Sequence, residues 1–155
     1  MGSYEGVTMI KSFRGMIVDG GQDTIPLRTN DGSTGYRIVR FEIVTTAPGT
    51  ASSENVVKIF KVLQSTVDAT IDMTNNKLLG AAIYHENTAI YGIHTIFFES
   101  EVFNQDIYVT NSDAGAAGSS CNYYIELEQI KLDLGESTVA TLKDIRNLEY
   151  PPAGG

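Results

Sequence analysis

The chain has 155 residues, 42% of them hydrophobic and 19% charged, with a formal net charge of −8. That length suits one domain with its own core, and the composition is too apolar for disorder. The acidic balance excludes a nucleic-acid partner held through a basic face, and the lone cysteine, Cys121, excludes an intrachain disulfide.

From the start of the chain, no basic stretch followed by an apolar run reads as a secretory leader. Met1-Gly2 opens like a myristoylation site, but Gly6 stands where Ser or Thr is wanted. The most apolar run, Leu78 to Tyr84, is far short of a bilayer span. The expectation is a protein made in the cytosol, with no membrane partner. Residues 1–6 read as an arm, 7–150 as one β-domain and 151–155 as a tail after Pro151-Pro152.

Strand-like runs follow at Val7–Val18, Thr24–Arg28, Tyr36–Thr45, Val56–Gln64, Thr66–Met73, Lys77–His85, Ile90–Phe98, Glu101–Thr110 and Tyr123–Leu134. They are rich in Ile, Val, Tyr and Phe and are divided by Gly, Asn, Asp, Ser and Pro clusters. This spacing predicts an all-β fold, an antiparallel two-sheet sandwich of about eight strands. Val39, Phe41 and Ile43 alternate with Arg40 and Glu42, as a half-buried strand requires. Lys58 and Lys61 fall on opposite faces of their run, which suits an edge or twisted strand. Around Glu128-Gln129 the apolar set changes parity, from Ile125 and Leu127 to Ile130, Leu132 and Leu134. Either a β-bulge there keeps both halves facing the core, or the strand is buried on both faces. Val139, Leu142 and Ile145 recur every third residue after Ser137, predicting one short amphipathic helix over Glu136–Leu148.

The candidate chemical groups are few. His85 and His94 are the only histidines. In a hairpin turning near Asn87-Thr88, a three-residue turn puts Ala82 opposite His94, and a two-residue turn leaves the histidines roughly 13 Å apart at strand rise. Neither arrangement shares a metal, so packing or surface roles are expected. Glu99 with Glu101, and Glu126 with Glu128, are carboxylate pairs on one strand face, expected to be solvated. Ser119, Ser120 and Cys121 follow a Gly- and Ala-rich stretch from Asp113, read as a flexible linker, and no G-x-S-x-G elbow accompanies them. The oxygen-rich turns Asp19 to Asp23 and Asn30 to Ser33 do not match a calcium loop and read as ordinary turns. No phosphate loop, dinucleotide fingerprint or zinc spacing occurs. The chain reads as a non-enzyme with no catalytic residue, metal or cofactor.

Ile107-Tyr108-Val109, the small-residue loop, Asn122 to Glu128, and then Ser137-Thr138-Val139 through Leu142 and Ile145-Arg146 form a pattern spanning about Lys77 to Asn147. It resembles the carboxyl end of small virion structural proteins of tailed bacteriophages, especially marine and cyanobacterial ones. The resemblance implies a jelly-roll sandwich that decorates or cements a capsid, with the major capsid protein or another virion component as partner. It also implies a homotrimer and location in the virion. Val139, Leu142 and Ile145 of the predicted helix, with Tyr150, are then the expected interface, unless the helix caps its own sheet. The alternative is a carbohydrate- or receptor-binding jelly-roll domain of a head fibre or tail. Val7 to Thr45 carries no part of the resemblance.

Overall fold

A computed structural model describes residues 9–30, 32–49, 52–86 and 93–132. The arm at 1–6, the predicted helix Glu136–Leu148, the residues Val139, Leu142, Ile145 and Tyr150, and the 151–155 tail lie outside them.

The described chain forms strands β1 (Met9–Ile17), β2 (Gln22–Ile25), β3 (Thr34–Thr45), β4 (Ser53–Phe60), β5 (Leu78–Glu86), β6 (Ile93–Phe98), β7 (Ile107–Asp113) and β8 (Cys121–Lys131). They make two antiparallel sheets, one ordered β1-β8-β3 and the other β2-β7-β4-β5-β6. The pairings nest: β1 with β8, β2 with β7, and β4 with β5. A long hairpin rolled up on itself gives this order, so the sandwich is jelly-roll-like.

The nesting would pair β3 with β6, but β6 stays beside β5. The place next to β3 is taken by the chain just after β6, where Tyr36 and Phe103 exchange backbone bonds of 2.8 and 2.9 Å in an isolated bridge. The expected strand Glu101–Thr110 is therefore divided. Its first half touches the three-stranded sheet once, and β7 starts at Ile107 in the other sheet.

Between the sheets lie Phe41, Ile43, Ile59, Leu79, Ile107, Val109, Ile125 and Leu127, all buried. Inward residues alternate with outward ones along β8 and most of β3, so apolar residues of period two became the core there, whereas β4 and much of β5 are buried on both faces.

The bulge expected near Glu128-Gln129 is absent, and the irregularity of this ladder lies in the facing strand instead. β8 pairs with β1 in unbroken register from Cys121 to Gln129. The shift lies in β3, where Ile38 pairs with Leu127 and Arg40 with Glu126, leaving Val39 as the extra residue. Tyr36 and Ile38 on one side of it, and Phe41 and Ile43 on the other, are all buried, whereas Val39 is exposed. Insertion of one residue changes the parity of β3, so Val39 does not share the face of Phe41 and Ile43. β8 needs no insertion because Ile130 is only half-buried and Leu132 lies beyond the strand end.

Two more expectations are corrected. β4 is the middle strand of five, not an edge, although it carries Lys58. Both ammonium groups are internally paired, Lys58 with Asp68 at 3.2 Å and Lys61 with Glu101 at 2.5 Å, which allows the two lysines to be buried. Thr66–Met73 alternates as a strand does, with Val67, Ala69 and Ile71 half-buried, but forms no ladder. Both sides of β4 are already occupied, by β5 and β7, so the segment lies across the outside of that sheet.

Candidate functional site

The register of β5 and β6 puts Tyr84, not Ala82, opposite His94, and His85 opposite Ile93. The two histidines thus point to opposite faces of the sheet. His94 packs its ring on Tyr84 at 4.8 Å between centroids, and Nδ1 of His85 lies 3.6 Å from Oε1 of Glu54. Among the described residues no three His, Cys, Asp or Glu side chains are grouped as metal ligands would be.

The carboxylate pairs are separated by their partners. Glu101 holds Lys61, whereas Glu126 faces Arg40 at 3.6 Å and Glu128 faces Arg37 at 2.5 Å across the β3–β8 ladder. Tyr124 donates its hydroxyl to Glu126 at 2.7 Å. The two arginine pairs are cross-strand charge pairs on the solvent face of the β3–β8 ladder.

Asp113 to Ser120 is pinned rather than a flexible linker. Asp113 Oδ1 accepts from the backbone of Glu54 at 2.9 Å and of Gly115 at 2.8 Å. Its Oδ2 accepts from the backbone of Ser119 at 2.7 Å and from the Ser119 hydroxyl at 2.8 Å. Behind Ser119, buried Asn55 and Asn111 bond to each other at 3.2 Å, and both donate to the Ser119 carbonyl. Gly115 lies so close to Ser52 that a Cβ would come within 2.0 Å of its carbonyl oxygen, so only glycine fits. Ser119 is a structural clasp here, with neither histidine beside it as a base.

Cys121 is buried between β1 and β3. Burial pushes its thiol up to about 11, and the thiolate needed for nucleophilic attack is scarce at neutral pH. Iodoacetamide at pH 7 is expected to label the folded protein hardly at all and the urea-unfolded protein fully, as intact-mass spectra would show. Rapid labelling of the folded form would make Cys121 a reactive site after all.

The turn residues are also in use. Asp19 accepts from the Asp113 backbone at 2.7 Å, and Asp23 accepts from the Tyr123 hydroxyl at 3.2 Å. In the second turn Asp31 lies outside the described residues.

What the sequence reading missed is a cleft of about 180 Å³ on the outer face of the five-stranded sheet. One wall is the extended segment 66–72, whose alternate residues Thr66, Asp68, Thr70 and Asp72 all line it. The floor is Lys58 and Phe60 of β4. Lys58 is only 5% exposed and donates to Asp68 at 3.2 Å and to the Thr70 carbonyl at 2.6 Å. The side-chain bond from Lys58 holds the Asp68 carboxyl below its usual range, against a smaller opposing effect of burial. The signal was T-x-D-x-T-x-D, a period-two row of oxygen-bearing side chains that a strand reading treats as mere solvent face.

A second feature lies on the outer face of the three-stranded sheet. Met16, Asn122 and Val44 stand in one row across β1, β8 and β3. Met16 is 59% exposed and Val44 57%; Ile10 is open to solvent at the other end of β1, and Val18 just past the end of that strand. Met16, Asn122 and Val44 border a shallow groove of about 590 Å³ beside Arg14, Tyr123 and Tyr124.

The sequence matches no protein-family model and no curated protein.

Proposed function

We propose that the protein is a non-enzymatic virion structural protein, a decoration or cement subunit that binds a phage capsid shell. The observation that carries this reading is the exposed pair Met16 and Val44, which flank Asn122 at one end of the outer face of the three-stranded sheet in a jelly-roll-like sandwich, beyond the charge pairs of that face. Exposed apolar side chains concentrated on one sheet mark an interaction surface, whereas singly scattered ones do not. The resemblance of the last third to tailed-phage structural proteins supplies the class of partner, the major capsid protein. The internal engagement of Ser119, Cys121, Glu126 and Glu128 supports a binding role over a catalytic one.

The test is cosedimentation of the purified protein with shells of the phage that encodes it, stripped of this subunit. Near-stoichiometric recovery is expected, with a loss of at least tenfold in affinity for Met16→Glu combined with Val44→Glu. Absence of binding by the folded wild type would overturn the reading. Self-association as a trimer through Val139, Leu142, Ile145 and Tyr150 belongs to the same proposal. Light scattering would then give about three times 16.8 kDa.

The alternative, a carbohydrate- or receptor-binding domain, is favoured by a different part of the molecule, the polar cleft at Lys58.

A further inference from the structure

We propose that the cleft between β4 and the 66–72 segment binds one sugar residue, a small neutral polyhydroxylated ligand. This deepens the carbohydrate-binding alternative, and it does not depend on whether the opposite sheet docks on a shell.

The argument begins with hydrogen-bonding capacity left over at the cleft. The Lys58 ammonium has three N–H donors. Two are used, on Asp68 Oδ1 and on the Thr70 carbonyl, and the ammonium also lies over the Phe60 ring at 5.4 Å from its centroid, so among the described residues the third N–H has no oxygen acceptor. Asp68 Oδ1 also takes the Thr70 N–H, and Asp72 Oδ1 takes both the N–H and the hydroxyl of Thr74. In each carboxylate the second oxygen, Oδ2, remains able to accept. Directly across the β4–β7 ladder from Lys58 stands Thr110, on the same sheet face. It is 1% exposed, and its hydroxyl oxygen has no hydrogen-bond partner among the described residues. Buried polar groups are nearly always satisfied, by protein, water or ligand. Thr110 does not line the cleft, so the capacity open to a ligand there is that of Lys58, Asp68 and Asp72.

Charge then selects the ligand. Asp68 and Asp72 repel phosphate, sulfate and carboxylate ligands. A cation is disfavoured because the Lys58 ammonium already occupies the position between Asp68 and the Thr70 carbonyl. What suits one donor, two acceptors and the hydroxyl of Thr66 is a molecule bearing several hydroxyl groups, each both donor and acceptor. Phe60 and Leu78 supply an apolar wall for the C–H face of a ring. The cleft has room for several waters, which the hydroxyls of one sugar ring would displace.

The test is a titration of ¹⁵N-labelled protein, followed by amide shifts, with glucose, galactose, mannose and N-acetylglucosamine. Glucuronate and glucosamine serve as charged controls. At least one neutral sugar should give saturable shifts centred on Lys58 and Thr66–Asp72, with glucuronate roughly tenfold weaker or worse. Thr66 is exposed, and Asp72→Asn keeps an oxygen for the N–H and hydroxyl of Thr74, so Thr66→Ala combined with Asp72→Asn should preserve the rest of the spectrum while weakening binding about tenfold or more, the loss of one or two hydrogen bonds. No saturable shift from any neutral sugar, shifts centred elsewhere, or tighter binding of the charged sugars would each overturn the proposal. Shell binding is measured separately, so the two readings fail independently.

Discussion

Phe103→Ala is expected to lower the unfolding free energy by about 3–5 kcal/mol, as measured by urea denaturation. Phe103 is among the largest fully buried side chains, and its ring stacks on Tyr36 at 6.5 Å between centroids. The substitution empties core volume at the one point where the chain between β6 and β7 is tied by its backbone to β3. Truncation costs both the transfer energy of the ring and the cavity left behind, because a close-packed interior relaxes only partly. Phe103→Leu, which refills most of the space, should cost about 1 kcal/mol. If Phe103→Ala shifted the midpoint by less than Phe103→Leu, the packing role assigned to this ring would be wrong.

The second large effect is expected at Asp113. Asp113→Ala removes a carboxylate that satisfies three backbone N–H groups and one hydroxyl, and a loss of about 3 kcal/mol is expected. Burial alone would raise the Asp113 carboxyl. The donors of Ser119, Glu54 and Gly115 outweigh it and hold the group below the usual 3.8. A folded value below the unfolded one stabilises the protein at pH above the unfolded value, and that share is lost as pH falls through the folded value. The gap in urea midpoint between wild type and Asp113→Asn should therefore be wide at pH 7 and narrow steadily below about pH 4. A gap independent of pH would show that the carboxylate charge has no part in the clasp.

The all-β class and nearly every strand were legible because half-buried strands alternate apolar and polar residues, and the turns carry glycine, asparagine and aspartate. Strand ends were less legible. β7 was placed too early because Glu101 to Asp106 has strand-forming residues but makes its single bridge, at Phe103, in the other sheet. Which strand carried the bulge could not be settled from one run alone. Tyr36 and Ile38 announce the parity change as clearly as Leu127 and Ile130 do, and only the pairing shows where the extra residue sits. The two buried lysines were misread for a similar reason. Local sequence records a charge, but not the partners that neutralise it, Asp68 in the connection after β4 and Glu101 forty residues from Lys61. The cleft is built by the connection after β4 folding back over that strand, which the alternating pattern of 66–72 does not announce.

The order β1-β8-β3 bears on how the polypeptide acquires its fold during synthesis. β8 is the last described strand to leave the ribosome, yet it is the one that joins β1 to β3, with Met9 meeting Gln129. Until it emerges, the first and third strands have no ladder partner in their own sheet, while β4, β5 and β6 can zip together as neighbours in sequence. Assembly of the nascent chain should thus proceed in two stages, an early meander and a late closure whose rate is limited by the long loop that must be drawn shut. In the interval Ile10, Met16 and Val44 travel on unpaired strand edges, which makes the newly made chain, more than the finished one, a client for chaperones.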